Sequence, residues 1–125
     1  MLFDTDVLIW HMRGNAQASD AVDKDDARAI SVVTFMELLR GARDKREVGA
    51  IKRFLSNQEF RMLPLTENIG HRASIYIEEY GLAVAMDMGD ALIAATAVEN
   101  RERLLTGNQR HFKPIKELDL KTFSP

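Results

Sequence analysis

Short apolar runs alternate with longer amphipathic segments along the chain. The apolar runs predict strands at residues 2–4, 29–33, 60–65 and 104–106, with a further edge strand at 118–120. The segments between them predict helices at residues 6–12, 16–25, 34–43, around 48–55, 66–80 and 90–100. Gly14 with Asn15 is expected to break the first helix, and Gly81 is expected to end the helix predicted at 66–80. Strands that alternate with helices are typical of an α/β fold with a mostly parallel sheet.

Composition narrows the class of protein. The 125 residues are 46% hydrophobic and 29% charged, which predicts one folded domain. The absence of cysteine excludes a disulfide scaffold, a thiolate zinc site and a cysteine nucleophile. The N-terminus lacks the basic and apolar regions of a signal peptide, and the longest apolar run, 91–98, is too short to span a membrane, so we expect a cytoplasmic protein. A net charge of −2 disfavours a protein that binds nucleic acid through a surface that is basic overall, but it allows a local basic patch around an acidic site.

Acidic residues stand where the predicted strands end, and ligands of α/β sheets bind beyond the carboxyl ends of the strands. Asp4 directly follows the first strand without a neighbouring cation in the sequence, so its partial burial requires compensation. Asp6 follows two residues later, where it is either an N-cap or part of the same site.

Glu37 and Asp90 each follow a later boundary between elements. Glu37 lies one turn into the helix after the second strand, where it could instead form a capping box with Thr34 or pair with Arg40. Asp90 opens an almost wholly apolar helix, and Asp87 is the expected cap of that helix.

Convergence of Asp4, Glu37 and Asp90 would be costly. At an effective dielectric constant of about 20, each pair of carboxylates at ~4 Å costs on the order of 4 kcal/mol. Either the repulsion raises the pKa of at least one acid, which then holds a proton when no metal is bound, or a divalent cation fills the site. Carboxylate oxygens without sulfur suit Mg²⁺ or Mn²⁺, which can activate water and neutralise a phosphodiester.

Four ordered blocks of the sequence resemble the PIN domain family, and in particular the VapC-type toxins of type II toxin–antitoxin pairs. The blocks are FDTDVLI at 3–9, TFMEL at 34–38, DALIAATA at 90–97, and LTGN at 105–108 followed by HF at 111–112. The resemblance covers essentially the whole chain, which implies a single PIN-like domain over 1–125 folded as a three-layer α/β/α sandwich.

The resemblance also implies an activity. A VapC-type protein is an Mg²⁺-dependent endoribonuclease in which Mn²⁺ can substitute, and a metal-activated water hydrolyses the RNA phosphodiester. Asp4, Glu37 and Asp90 match the catalytic acids of the family. Asp4 and Asp90 would bind the metal directly, and Glu37 would bind it directly or through water. Members commonly form homodimers, and a cognate antitoxin wraps the toxin and can place a basic side chain in the acidic site.

The sequence departs from the family pattern at two positions. Asn108 and His111 stand where members often carry acids, and Asp6 stands where they usually carry Asn. Asp6 could supply the missing carboxylate, with Asp87 and Asn108 as further supporting residues. The number of metal ions is therefore open, and we favour one.

The expected RNA contacts are basic residues beside the acids. These residues are Arg40, Arg43, Arg110, His111 and Lys113. Each could instead be an ordinary solvated charge. The apolar residues of 48–55, with Trp10 and Met12, belong either to the core or to a partner-binding face.

Two other functions remain open. The Asp4-Thr5-Asp6 segment resembles the Asp-x-Asp loop of haloacid-dehalogenase-like phosphatases, in which one Asp is the nucleophile. Asn108 leaves room for a non-catalytic PIN-like binding module.

Overall fold

The computed structural model describes residues 1–125 and contains five short strands and seven helices. In chain order the elements are β1 (Leu2–Phe3), α1 (Thr5–Met12), α2 (Ala16–Lys24), β2 (Ala29–Ser31), α3 (Val32–Arg40), α4 (Lys45–Asn57), β3 (Arg61–Leu63), α5 (Glu67–Val84), α6 (Met88–Glu99), β4 (Leu104–Thr106), α7 (Gln109–Phe112) and β5 (Leu120–Thr122). The strands form one sheet in the order β3-β2-β1-β4-β5, and every neighbouring pair is parallel.

Residues of the three central strands alternate between two buried layers. Leu2, Ala29 and Leu104 pack in a core with α5 and α6, whereas Phe3, Ile30 and Leu105 pack in a core with α1, α2, α3 and α4. This alternation is the period of a strand that is buried on both faces. The prediction of a three-layer α/β/α sandwich is therefore confirmed, and the sheet is wholly rather than mostly parallel.

Helix caps account for two differences from the predicted boundaries and caps. The second strand ends at Ser31 rather than residue 33, because the Ser31 side chain accepts a hydrogen bond from the Val33 amide and caps α3. The proposed capping box between Thr34 and Glu37 is therefore wrong. Asp4, not Asp6, is the N-cap of α1.

Other differences lie nearer the C-terminus. Gly81 does not end α5, which continues to Val84 and stops where Ala85 adopts a left-handed conformation. The last strand begins at Leu120 rather than at residue 118, and the four-residue helix α7 was not predicted. None of the helices combines the length and hydrophobicity needed to cross a bilayer.

The order of the strands defines where a site can form. From β1 the chain builds outward to β2 and β3 on one side and to β4 and β5 on the other. The carboxyl ends of β1 and β4 therefore flank the point at which the strand order reverses, where open α/β sheets bind their ligands.

Candidate active site

Asp4 occupies this crevice at the carboxyl end of β1, and its residue surface is only 6% exposed. Its Oδ1 accepts a 2.8 Å hydrogen bond from the Thr5 amide, and its Oδ2 accepts one of 2.7 Å from the Thr106 hydroxyl at the end of β4. The two neighbouring strands thus hold one carboxyl group between them.

The environment of Asp4 disfavours a negative charge. Burial, together with the nearby charges of Asp6 and Asp90, raises the pKa of Asp4 to about 7 in spite of the lowering effect of its hydrogen bonds with Thr106 and Thr5. The expectation that at least one of these acids has a raised pKa is confirmed.

Asp6 lies in the first turn of α1 and faces the loop after β4. Its Oδ2 accepts a 2.9 Å hydrogen bond from the Gly107 amide, whereas its Oδ1 is buried and has no hydrogen-bond partner. A Cβ atom at Gly107 would lie 2.7 Å from Asp6 Oδ2, so this approach requires glycine. Burial raises the pKa of Asp6 as well. Buried polar atoms normally have partners, so this oxygen is available to accept a bond from water or to bind a cation.

Glu37 reaches the same region from α3. Its Oε1 accepts a 2.7 Å hydrogen bond from the Thr5 hydroxyl, which also lies 3.0 Å from the hydroxyl of the buried Thr34. Because a hydroxyl has one proton, Thr5 donates to the carboxylate and Thr34 donates to Thr5. A Cβ at Gly89 would lie 3.2 Å from Glu37 Oε2, which places Glu37 beside the start of α6. The alternative pairing of Glu37 with Arg40 is not observed.

Asp90 approaches from the first turn of α6. The Asp87 side chain accepts a 2.8 Å hydrogen bond from the Asp90 amide, which confirms Asp87 as the cap. Asp90 Oδ2 lies 2.8 Å from Nδ1 of His111, and Asn108 Nδ2 lies 2.9 Å from the same nitrogen. Burial raises the pKa of Asp90, and the hydrogen bond from His111 opposes this shift.

Asp6 and Asp90 lie close enough to Asp4 to raise its pKa, and Glu37 reaches the same crevice beside Thr5 and Gly89. We call these four carboxylates the acidic cluster. Its members are Asp4, Asp6, Glu37 and Asp90. None of the chain's Lys or Arg side chains forms an ion pair with this cluster. Partly desolvated oxygens with one unpartnered atom fit a hard divalent cation. No three side chains already form a metal-ligand set, so binding a cation requires the carboxylates to reorient.

The basic residues expected to contact RNA differ in their surroundings. Arg40 lies in the last turn of α3, Arg110 lies within α7, and Lys113 directly follows α7. All three side chains are exposed and form no ion pair. Arg43 is exposed but pairs with Glu47 at 2.8 Å. His111 lies against Asp90 rather than on an outer rim, with 22% of its side chain exposed.

A groove of about 950 Å³ extends from Glu37 between α1, α3 and α4. Apolar side chains line it, together with His11, whose ring stacks on Phe54 at a centroid distance of 4.8 Å. These apolar residues are Ile9, Met12, Leu38, Ile51 and Phe54. The 48–55 segment therefore contributes both to the core and to a surface groove, because Ile51 and Leu55 are buried in the core while Phe54 faces the groove.

Comparison with known proteins places these features in one family. The family model described as PIN domain matches residues 1–118. Ribonuclease VapC10 of Mycobacterium tuberculosis is 40% identical over 124 residues, which cover 94% of this chain and 90% of the relative. Ribonuclease VapC1 of Methanocaldococcus jannaschii is 28% identical, and the alignment covers 98% of this chain and 86% of that protein.

Solved structures agree with this result. A chain of a toxin–antitoxin complex from Klebsiella pneumoniae is 30% identical, with a TM-score of 0.80 and coverage of 99% of this chain and 96% of that one. A chain of VapBC2 from Rickettsia felis, bound to a promoter DNA fragment, is 21% identical with a TM-score of 0.81 and covers 98% of both chains. The second likeness supports the fold alone.

Proposed function

Because the chain belongs to the PIN domain family, we propose that it is a metal-dependent endoribonuclease of the VapC type, the toxin of a toxin–antitoxin pair. We propose further that residues 1–125 act as a single PIN-like domain. The observation that carries the proposal is the acidic cluster at the reversal point of the sheet, which lacks a compensating Lys or Arg from its own chain.

The cluster fits a divalent cation that the fold family implies. Asp4 and Asp90 would hold it, and we propose Mg²⁺, for which Mn²⁺ can substitute. A cation bound there would neutralise charge on the phosphodiester and lower the pKa of a coordinated water. Glu37, held by Thr5 through a 2.7 Å hydrogen bond, would orient the attacking water.

Asp6 supports this assignment as the fourth carboxylate. The Gly107 amide donates a hydrogen bond to Asp6 Oδ2 and holds the side chain in the crevice, and the unpartnered Oδ1 is available to a cation. Asn108 adds a neutral amide beside His111, and Asp87 supports Asp90 by capping its helix. We propose a single cation, because Asn108 and His111 add no negative charge.

Substrate and partners would bind next to the cluster. Arg40, Arg110 and Lys113 are exposed cations suited to RNA phosphates. An antitoxin is expected to lay an apolar helical face in the groove between α1, α3 and α4 and to extend a basic side chain past Glu37. Exposed apolar residues on α3 and around the start of α6, including Met36 and Met88, are available for a homodimer.

The phosphatase alternative fits less well. In that alternative Asp4 or Asp6 would attack phosphorus, but the relatives of this chain are named ribonucleases. Membership of the PIN family also favours a nuclease. The cleavage experiment below distinguishes a nuclease from a non-catalytic binding module, which would not cleave RNA.

The test is cleavage of RNA by the purified chain with Mg²⁺, with Mn²⁺ and with a chelator. Asp4→Asn, Glu37→Gln and Asp90→Asn should each abolish the cation-dependent cleavage. Asp20→Asn is the matched control, because Asp20 lies on the surface of α2 and pairs only with Lys24. No cleavage with either cation, or full cleavage by Asp4→Asn, would reject the proposal.

A further inference from the structure

We propose that the His111 imidazole is a nitrogen ligand of the divalent cation and that it shifts the site's preference from Mg²⁺ toward transition-metal ions such as Mn²⁺ and Co²⁺. This inference rests on the proposed metal-dependent function and concerns which ion the site selects. It assigns to His111 a role different from the contact with RNA phosphate that the sequence suggests.

The position of His111 carries the argument. Its Nδ1 lies 2.8 Å from Asp90 Oδ2. Two adjacent donors of an octahedral cation, each about 2.1 Å from the ion, stand about 3.0 Å apart. The two atoms therefore have the separation of neighbouring ligands as well as that of a hydrogen-bonded pair, although the ring must turn so that the Nδ1 lone pair points at the ion instead of at Asp90.

The surroundings also favour a shared ion. Asp90 is close enough to Asp4 and Asp6 to raise the pKa of both, so the Asp90–His111 pair borders the acidic cluster. The side chains of His111 and Asp90 are 22% and 16% exposed, which leaves access for an ion from solvent. The Asn108 amide lies 2.9 Å from the same imidazole nitrogen and can turn its oxygen or its nitrogen toward it.

The number of protons on the His111 ring stays the same when Nδ1 exchanges its hydrogen bond for the cation. A neutral imidazole carries one proton, on Nδ1 when it donates to Asp90 and on Nε2 when Nδ1 binds the cation. Transfer of the proton from Nδ1 to Nε2 through solvent frees the Nδ1 lone pair, and the cation replaces the hydrogen bond to Asp90. The ring keeps its zero charge throughout.

The chemistry of the donors explains the predicted selectivity. Carboxylate and water oxygens suit Mg²⁺, whereas imidazole nitrogen favours transition metals, with affinity rising from Mn²⁺ to Co²⁺. A site that includes the His111 nitrogen should therefore favour Mn²⁺ and Co²⁺ over Mg²⁺.

The test measures cation binding directly. Titration calorimetry with Mg²⁺, Mn²⁺ and Co²⁺ is applied to the parent protein, His111→Ala and His111→Asp, with His71→Ala as the matched control on exposed α5. We expect His111→Ala to weaken Mn²⁺ and Co²⁺ by about 10- to 100-fold. His111→Asp supplies a carboxylate oxygen in place of the nitrogen, so it should strengthen Mg²⁺ binding relative to Mn²⁺ binding and lower the Mn²⁺-to-Mg²⁺ affinity ratio by about tenfold or more.

Pulsed electron paramagnetic resonance of the Mn²⁺-loaded protein separates a ligand from a neighbour. Coupling to a histidine nitrogen in the parent and in His71→Ala, and its loss in His111→Ala, supports the proposal. Weakened binding without nitrogen coupling in the parent would mean that His111 only orients Asp90, and this result would overturn it. Unchanged affinity ratios in His111→Asp would overturn it as well.

The outcome also separates this inference from the proposed function. A parent protein that cleaves RNA with Mg²⁺ or Mn²⁺ but shows no nitrogen coupling refutes only the role of His111. A parent that neither binds a cation nor cleaves RNA refutes both.

Discussion

The Thr106 hydroxyl donates a 2.7 Å hydrogen bond to Asp4 Oδ2, although 102 residues separate the two in sequence. The bond joins the carboxyl ends of β1 and β4 at the reversal point of the sheet. It favours ionised Asp4, but burial outweighs it, since the pKa of Asp4 is raised to about 7. The site is therefore balanced between holding a proton and holding a cation.

The metal-free protein should lose stability as the pH rises from about 4 to about 7. The pKa of Asp4 is raised to about 7 in the folded state from about 3.8, so the folded state binds more protons in this window. The stability contributed by protonated Asp4 is complete below pH 4 and is lost as the pH rises through 7, on the order of a few kcal/mol. The raised pKa values of Asp6 and Asp90 act in the same direction.

Urea unfolding in a chelator over this range measures the effect. Saturating Mn²⁺ should flatten the dependence near neutral pH, because the cation binds the folded, ionised cluster. Stability that rises between pH 5 and 7 in the chelator would contradict the sign of the Asp4 shift.

Asp4→Asn should separate stability from activity. The amide removes a buried charge, and it can still accept from the Thr5 amide while donating to the Thr106 hydroxyl. We expect metal-free stability at pH 7.5 to be unchanged or higher, with cleavage reduced by about 100-fold or more. Denaturation midpoints and initial rates of cleavage are the measurements, and a strongly destabilised variant would contradict the prediction.

The Thr5 hydroxyl should matter through Glu37. Thr5→Val removes the 2.7 Å hydrogen bond and leaves the Glu37 carboxylate free to rotate. We expect cleavage to fall about tenfold or more at saturating RNA, with little change in the Michaelis constant. Thr5→Ser keeps the hydroxyl and should retain most of the activity. Equal rates for the valine and serine variants would show that the hydrogen bond is dispensable.

Gly107→Ala should damage the site next to Asp6. The new Cβ would lie 2.7 Å from Asp6 Oδ2, so the carboxylate must move and its bond to the Gly107 amide is strained. We expect weaker Mn²⁺ binding in calorimetry. Gly70→Ala is the control, because a Cβ there meets nothing within 4 Å and the helix α5 should gain up to about 1 kcal/mol. An unaltered Mn²⁺ affinity in Gly107→Ala would show that Asp6 does not contribute to cation binding.

Sequence patterns located the three acids because each follows an apolar strand or opens an apolar helix. Asp4 follows β1, Glu37 is one turn into α3, and Asp90 is in the first turn of α6. The common edge of a parallel sheet then brings them together without knowledge of any side-chain contact. Local hydrophobicity therefore indicated which acids to expect at the site, whereas the strand order that makes β1 the neighbour of β2 and β4 came from the structure.

The partners of these acids were not predictable in the same way. The contact between His111 and Asp90 depends on α7, a single turn too short to produce a helical pattern. The bond from Thr5 to Glu37 joins two helices 32 residues apart. Local chemistry was also ambiguous, because Ser31 and Thr34 are both suitable caps and only tertiary packing selects Ser31.

The pairing of β1 with β4 has a consequence for synthesis on the ribosome. Thr106 is translated 102 residues after Asp4, and Gly107 is translated 101 residues after Asp6. A nascent chain that has not yet released β4 can neither bury Asp4 in its final surroundings nor assemble the pocket. Truncated translation products that stop before β4 should consequently be harmless to the RNA of the cell that makes them.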